Sequence, residues 1–230
     1  MLITDLSGVY REEGFEAALQ AAGVSYDYLD MGGLEGTCCY LDSEAGKVLR
    51  EKLEASKDEK LRFIDSGDYH YISALLAEKV SGGPFTLVLM DNHPDNQQPE
   101  FEGMLSCGSW AGAIGNPLLE KVVIFGPEGY MKSMAELRQA VCGVNRVYIS
   151  LDKDIMSKQY ARTDWSQGSF TLEEVKEALL AIKEAAREII AVDVCGELPR
   201  SKGGKEEDFE LNLRTNLELV RFINESIFRC

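Results

Sequence analysis

The sequence predicts an α/β protein: a three-layer α/β/α sandwich around a mostly parallel, doubly wound sheet. Three observations carry that reading. Short apolar runs alternate with helix-patterned stretches along the chain. Four of those runs are rich in Val, Ile or Leu with little polar alternation, as expected of strands covered on both faces. Carboxylates and histidines cluster just after such runs, at the carboxyl ends of strands where open parallel sheets bind ligands.

Strands are predicted at 26–31, 61–65, 85–91, 121–125, 146–151 and 188–194, and helices at 12–22, 44–55, 70–79, 133–141, 171–187 and 207–227. Two helix starts carry capping-box spacing, Ser133 with Glu136 and Thr171 with Glu174. Gly23 and Gly143 stand where helix-ending glycines belong. The long connections at 92–117 and 155–170 are the kind that compact domains keep for function.

A chain of 230 residues, 45% hydrophobic, suits one large domain spanning 1–230 that needs no disulfide staples. Its six cysteines (Cys38, Cys39, Cys107, Cys142, Cys195 and Cys230) form no zinc-type pairs, so reduced thiols are expected. On a strand, the adjacent Cys38 and Cys39 would face opposite sides. The first residues lack a basic stretch followed by an apolar one, and no apolar run approaches the ~18 residues of a membrane span. A soluble, cytoplasmic protein is expected. A net charge of −15 argues against nucleic acid and anionic membranes as partners and weakly favours a cationic substrate.

Three motifs carry the chemistry. In Asp91-Asn92-His93-Pro94-Asp95 the period of an extended chain puts two carboxylates and an imidazole on one side. Alone, such a string fits an Asx-turn beside a solvated histidine equally well. Asp152-Lys153-Asp154 repeats the pattern after another strand, with Lys153 pointing away; two such carboxylates need a positive partner. Ser66-Gly67-Asp68-Tyr69-His70 passes from strand to helix through a glycine turn, with His70 expected in the first helical turn. The chain's two histidines both fall beside strand-end carboxylates. Together His70, Asp91, His93, Asp95, Asp152 and Asp154 are enough for two divalent ions once carboxylates bridge. The mixed oxygen and nitrogen donors suit Mn²⁺, Fe²⁺ or Zn²⁺ better than Ca²⁺ or Mg²⁺.

These motifs resemble those of the arginase (ureohydrolase) family of the arginase/deacetylase superfamily, which carries a GGDH-type turn, a DAHxD motif and an SxDxD motif in that order. The resemblance extends to Gly168–Glu174, similar to the family's GGLTxRE segment, and to Asp193, at the end of a late strand like the family's acidic residue that faces a guanidinium. It implies Mn²⁺ at two positions. His70, Asp91, Asp95 and Asp152 would hold one ion and Asp91, His93, Asp152 and Asp154 the other, with Asp91 and Asp152 bridging. It further implies hydrolysis of a C–N bond in a guanidino group, metal-bound hydroxide releasing urea. Tyr69 is an insertion in the first motif, the chain is shorter than a typical arginase, and no histidine corresponds to the family's proton shuttle; Ser106-Cys107-Gly108-Ser109-Trp110 stands there. These departures resemble an uncharacterised branch that includes peptide arginases, and they leave homo-oligomers open.

Asp91, Asp152 and Asp193 are the expected catalytic carboxylates, and Asp193, Glu197, Trp165 and Asp164 the expected substrate contacts. A buried Asp193 and a solvated Glu197 are equally compatible with the sequence. Trp165 could stack on a guanidinium or anchor its loop, and Glu174 is explained by its capping box. Two other readings stay open: a single-zinc amidohydrolase of the deacetylase branch, and a metal-binding homologue without turnover.

Overall fold

The computed structural model describes residues 1–98 and 104–229. Cys230 and the middle of the 92–117 connection lie outside the described residues. Among the described residues nine strands are present: β1 (Leu2–Asp5), β2 (Asp27–Asp30), β3 (Tyr40–Leu41), β4 (Leu61–Ile64), β5 (Phe85–Met90), β6 (Leu105–Ser106), β7 (Leu119–Phe125), β8 (Arg146–Asp152) and β9 (Glu188–Cys195). Seven form one parallel sheet in the order β2-β1-β4-β9-β8-β5-β7, while β3 and β6 pair antiparallel beside it. The helices are α1 (Val9–Glu12), α2 (Phe15–Ala21), α3 (Ser43–Ala55), α4 (Ile72–Glu78), α5 (Met134–Val141), α6 (Leu172–Ala185) and α7 (Glu206–Phe222).

Alternation along the strands divides the core into two apolar layers. Ile3, Phe63, Val88, Ile149 and Val192 pack with residues of α1, α2, α5, α6 and α7. Leu2, Ile64, Leu87, Leu89 and Ala191 pack with α3 and α4 on the opposite face. Both faces are therefore covered, which explains why the strands read as unbroken apolar runs. Among the described residues no helix is long and apolar enough to cross a membrane.

The strand order positions the site. From β4 the chain crosses to β5 and skips two places that β8 and β9 fill later. The carboxyl ends of β4, β9, β8 and β5 thus lie side by side, although their sequences are far apart.

Several local expectations are corrected. Strand β1, in the interior of the sheet, is only four residues long and carries no periodic signal. The helix expected at 12–22 is α2, which starts only at Phe15 after Gly14 with φ +69°, and a separate short helix, α1, precedes it. His70 ends a 3-10 turn (Gly67–Tyr69), and α4 begins only at Ile72. Thr171 and Glu174 form the full capping box, whereas Ser133 caps Ala135 without help from Glu136. Cys39 is not extended but left-handed, with φ +59°.

Candidate metal centre

The six metal-ligand candidates converge at the carboxyl ends of β4, β5 and β8. The His70 Nδ1 atom lies 3.3 Å from Asp91 Oδ2, 3.0 Å from Asp95 Oδ2 and 3.3 Å from Asp152 Oδ2. The His93 Nδ1 atom lies 2.7 Å from Asp154 Oδ2 and 3.6 Å from Asp91 Oδ1. Potential ligand atoms fall into overlapping groups: His70, Asp91 and Asp95 in one, Asp91, His93 and Asp154 in another. Asp91 belongs to both, as a bridging carboxylate must. All are buried except His93, which is partly open to the pocket.

A second ring of side chains aims these ligands. His70 Nε2 meets Ser150 Oγ at 3.0 Å, and Ser150 donates to Asp193 Oδ1 at 2.6 Å. His93 Nε2 meets Ser166 Oγ at 2.8 Å. Each imidazole is thereby anchored through Nε2 and presents Nδ1 to the carboxylates, the arrangement that fixes metal-binding histidines. Trp110 is buried against His70, its ring 4.8 Å away, and donates Nε1–H to Asp95 Oδ2 at 2.7 Å. That bond holds Asp95 in an unusual left-handed conformation, φ +43°. Replacing Trp110 with Phe keeps the apolar bulk but frees Asp95. We expect metal affinity to fall about 10–100-fold with helix content unchanged, read by Mn²⁺ titration and circular dichroism.

Two glycines make room for the site. A Cβ on Gly196, at φ +92°, would lie 2.3 Å from Asp152 Oδ1. One on Gly67 would lie 2.5 Å from the Trp165 ring, which covers this turn.

The electrostatics fit a cation pair. Asp91 Oδ2 is buried and makes no well-formed hydrogen bond, with His70 Nδ1 3.3 Å away, and a buried carboxylate oxygen held this way is costly unless a positive charge reaches it. Burial works to raise the Asp91 carboxyl, but His70 and His93 override it and hold it low. Burial and then Asp91 push Asp152 up to about 7, and burial and then Asp152 raise Asp154 well above the usual carboxylate range. The hydrogen bond to Asp154, and then that to Asp91, raise His93 to about 11. Four carboxylates with neutral imidazoles carry −4, and two divalent ions would carry +4. The residues present therefore fit two divalent cations.

Without metal, protons occupy the positions that cations would take, because His93, Asp152 and Asp154 all titrate above their usual ranges. Metal uptake must displace them. Affinity is thus expected to rise with pH through neutrality, about tenfold per unit for each proton released. Calorimetric titration with Mn²⁺ in two buffers of different ionisation enthalpy measures that proton count.

The centre floors a pocket of about 310 Å³, whose walls include Tyr40, Gln97, Ser106, Cys107, Ser109 and Trp165. Of the expected substrate contacts only Trp165 lines it. Asp193 is fully buried behind the histidine, accepting from Ser73, Ser150 and Tyr148. Glu197 is fully buried on the other face of the sheet, 2.5 Å from Lys153 Nζ and bonded to Asn212 and Asn216. Asp164 accepts from Gly67 N–H at 3.1 Å and braces the turn before His70, its carboxyl raised to about 6 by burial and then by Asp68. None of these three reaches the pocket. A polar residue at a strand end was a sound signal for Asp193, but strand register pairs it with Ser150 in the sheet. Ser150 was findable, two residues before Asp152 and on the same face. Ser166 and Trp110 sit in long connections without periodicity.

Comparison with solved structures decides the fold. An arginase from Bacillus cereus superposes with a TM-score of 0.64, covering 99% of each chain at 16% identity. This chain has the arginase fold. A hypothetical agmatinase from Burkholderia thailandensis matches 96% of this chain and 84% of its own at a TM-score of 0.61 and 16% identity. Proclavaminate amidino hydrolase from Streptomyces clavuligerus matches 85% and 74% at 0.59 and 17% identity. By sequence, an uncharacterised protein of Thermotoga maritima is 31% identical over 144 residues, 59% of this chain and 57% of that protein. No protein-family model matches the chain. The arginase fold thus accounts for the sheet order, and the Asp and His cluster lies where such sheets bind their ligands.

Proposed function

We propose that this chain is an arginase-family hydrolase that holds two divalent ions, Mn²⁺ foremost, and cleaves a C–N bond of a guanidino group with release of urea. The observation that carries the reading is the buried Asp91 carboxylate, shared between two His and Asp groups at the floor of a pocket. His70, Asp91, Asp95 and Asp152 would hold one ion, and Asp91, His93, Asp152 and Asp154 the other. Such a pair, when bound, lowers the pKa of water towards neutrality.

The chain's own residues account for the rest. Ser150 and Ser166 keep the imidazole tautomers fixed, and Trp110 keeps Asp95 turned inward. Trp165 stands at the rim with its ring across that of His93, 5.9 Å away, where a planar cation could lie against it. The wall offers neutral acceptors, Gln97, Ser106 and Ser109, to a group that can only donate. A pocket of this size admits an arginine-like side chain, free or within a peptide. The acidic balance of the chain favours the approach of such cations.

The test is to load the protein with Mn²⁺, offer arginine, agmatine and arginine-containing peptides, and assay urea. Urea from one of them, lost in Asp91→Asn, supports the reading. Metal uptake without urea from any of them contradicts the guanidino assignment.

A further inference from the structure

Beside the Asp and His cluster, the pocket wall carries a second donor group of different chemistry. Adjacent residues in a strand point to opposite faces, yet Cys38 and Cys39 both turn towards Asp68. The left-handed conformation of Cys39 makes this so. Such a backbone is costly for a non-glycine residue and persists only where its surroundings impose it. The Cys38 thiol lies 3.3 Å from Asp68 Oδ2 and the Cys39 thiol 3.2 Å from Oδ1. Pairing of β3 with β6 holds this turn in place, the backbone N–H of Cys107 donating to the Cys39 carbonyl at 2.9 Å.

We propose that Cys38, Cys39 and Asp68 bind one thiophilic divalent cation, Zn²⁺ or Cd²⁺, on the pocket wall, independently of the Asp and His centre. Their donor atoms all lie within 4.8 Å of one another, leaving a tetrahedral ion one position for solvent, and thiolates select soft ions that the neighbouring oxygen-rich centre does not. Asp68 is buried, and a cation already sits on it: Lys202 Nζ lies 2.6 Å from Oδ2. Lys202 is 43% exposed and ends a short 3-10 turn (Arg200–Lys202), so its ammonium can move into solvent when a metal takes its place. Access is open, because Cys38 is exposed and both Cys39 and Cys107 line the pocket.

The probe is Cd²⁺, titrated into the full chain kept reduced by a phosphine and read by thiolate-to-cadmium charge-transfer absorption, which oxygen and imidazole ligands do not give. We expect a band that saturates at one equivalent. Cys38→Ser and Cys39→Ser should each weaken binding at least ~10-fold, since losing a direct ligand costs no less than losing an outer partner. Cys142→Ser and Asp152→Asn should leave the band in place, so that failure of the Asp and His centre cannot be mistaken for failure here. Lys202→Met should tighten binding, which tests the site even if a cysteine variant folds poorly; thermal melts check each variant. No band at one equivalent, or a band that survives both Cys38→Ser and Cys39→Ser in folded protein, overturns the proposal.

Discussion

Asp152→Asn is expected to abolish hydrolysis, lowering the rate at least ~10³-fold, equivalent to about 4 kcal/mol of transition-state stabilisation. The amide keeps the shape of the side chain and removes one shared negative charge. Its effect on stability should run the other way. The Asp152 carboxyl titrates near 7 in the metal-free protein because burial and Asp91 disfavour its charge. An acid whose folded pKa lies above its unfolded value of ~3.9 loses stability as pH rises from about 4 to 7. At pH 8 the neutral amide spares that cost, so the metal-free variant should melt at or above the metal-free wild type. Mn²⁺ at 100 times its dissociation constant stabilises by ~2.7 kcal/mol. For a chain of this size that raises the wild-type Tm by roughly 5–10 °C. The same addition should leave Asp152→Asn nearly unmoved. A variant that lost activity and also melted far below the metal-free wild type would mark Asp152 as a packing residue.

Glu197→Gln should produce the largest loss of stability. Lys153 and Glu197 are both fully buried and 2.5 Å apart, with Asn212 and Asn216 satisfying the remaining atoms. Removing one partner strands the other charge in the core, at about 3–5 kcal/mol. A Tm drop of roughly 10 °C or more should follow, read by calorimetry. Replacing both, Lys153→Met with Glu197→Leu, should recover most of the loss, because well-packed apolar residues substitute for such pairs at little cost. Below the melting range Glu197→Gln should still take up its full complement of metal. A raised KM at unchanged Tm would instead return Glu197 to the substrate site, where a strand-end acid was first expected.

The layered α/β fold was legible because its signals are local. Runs such as Thr86–Met90 and Val147–Leu151 announce strands covered on both sides, and Thr171 announces the start of α6. The convergence of His70, Asp91, His93, Asp95, Asp152 and Asp154 was legible too, since a period of two places alternate residues on one side of a strand end. What escaped notice depends on which strands are neighbours. Asp193 belongs to the hydrogen-bond chain behind His70 because β9 lies beside β8, and Glu197 is drawn into the core because Lys153 waits there. Neither placement follows from strand-end position alone. Trp110 and Ser166 act from irregular connections, and the turn of Cys39 towards Asp68 breaks the alternation expected of adjacent residues.

The central claim is that the centre holds two divalent ions with Asp91 between them. It is tested most directly by crystals of the Mn²⁺-loaded protein, examined by anomalous scattering at the manganese edge. The account predicts two peaks, one contacted by His70 and Asp95, the other by His93 and Asp154, both contacted by Asp91. A single peak at either histidine, or none under saturating Mn²⁺, would contradict it.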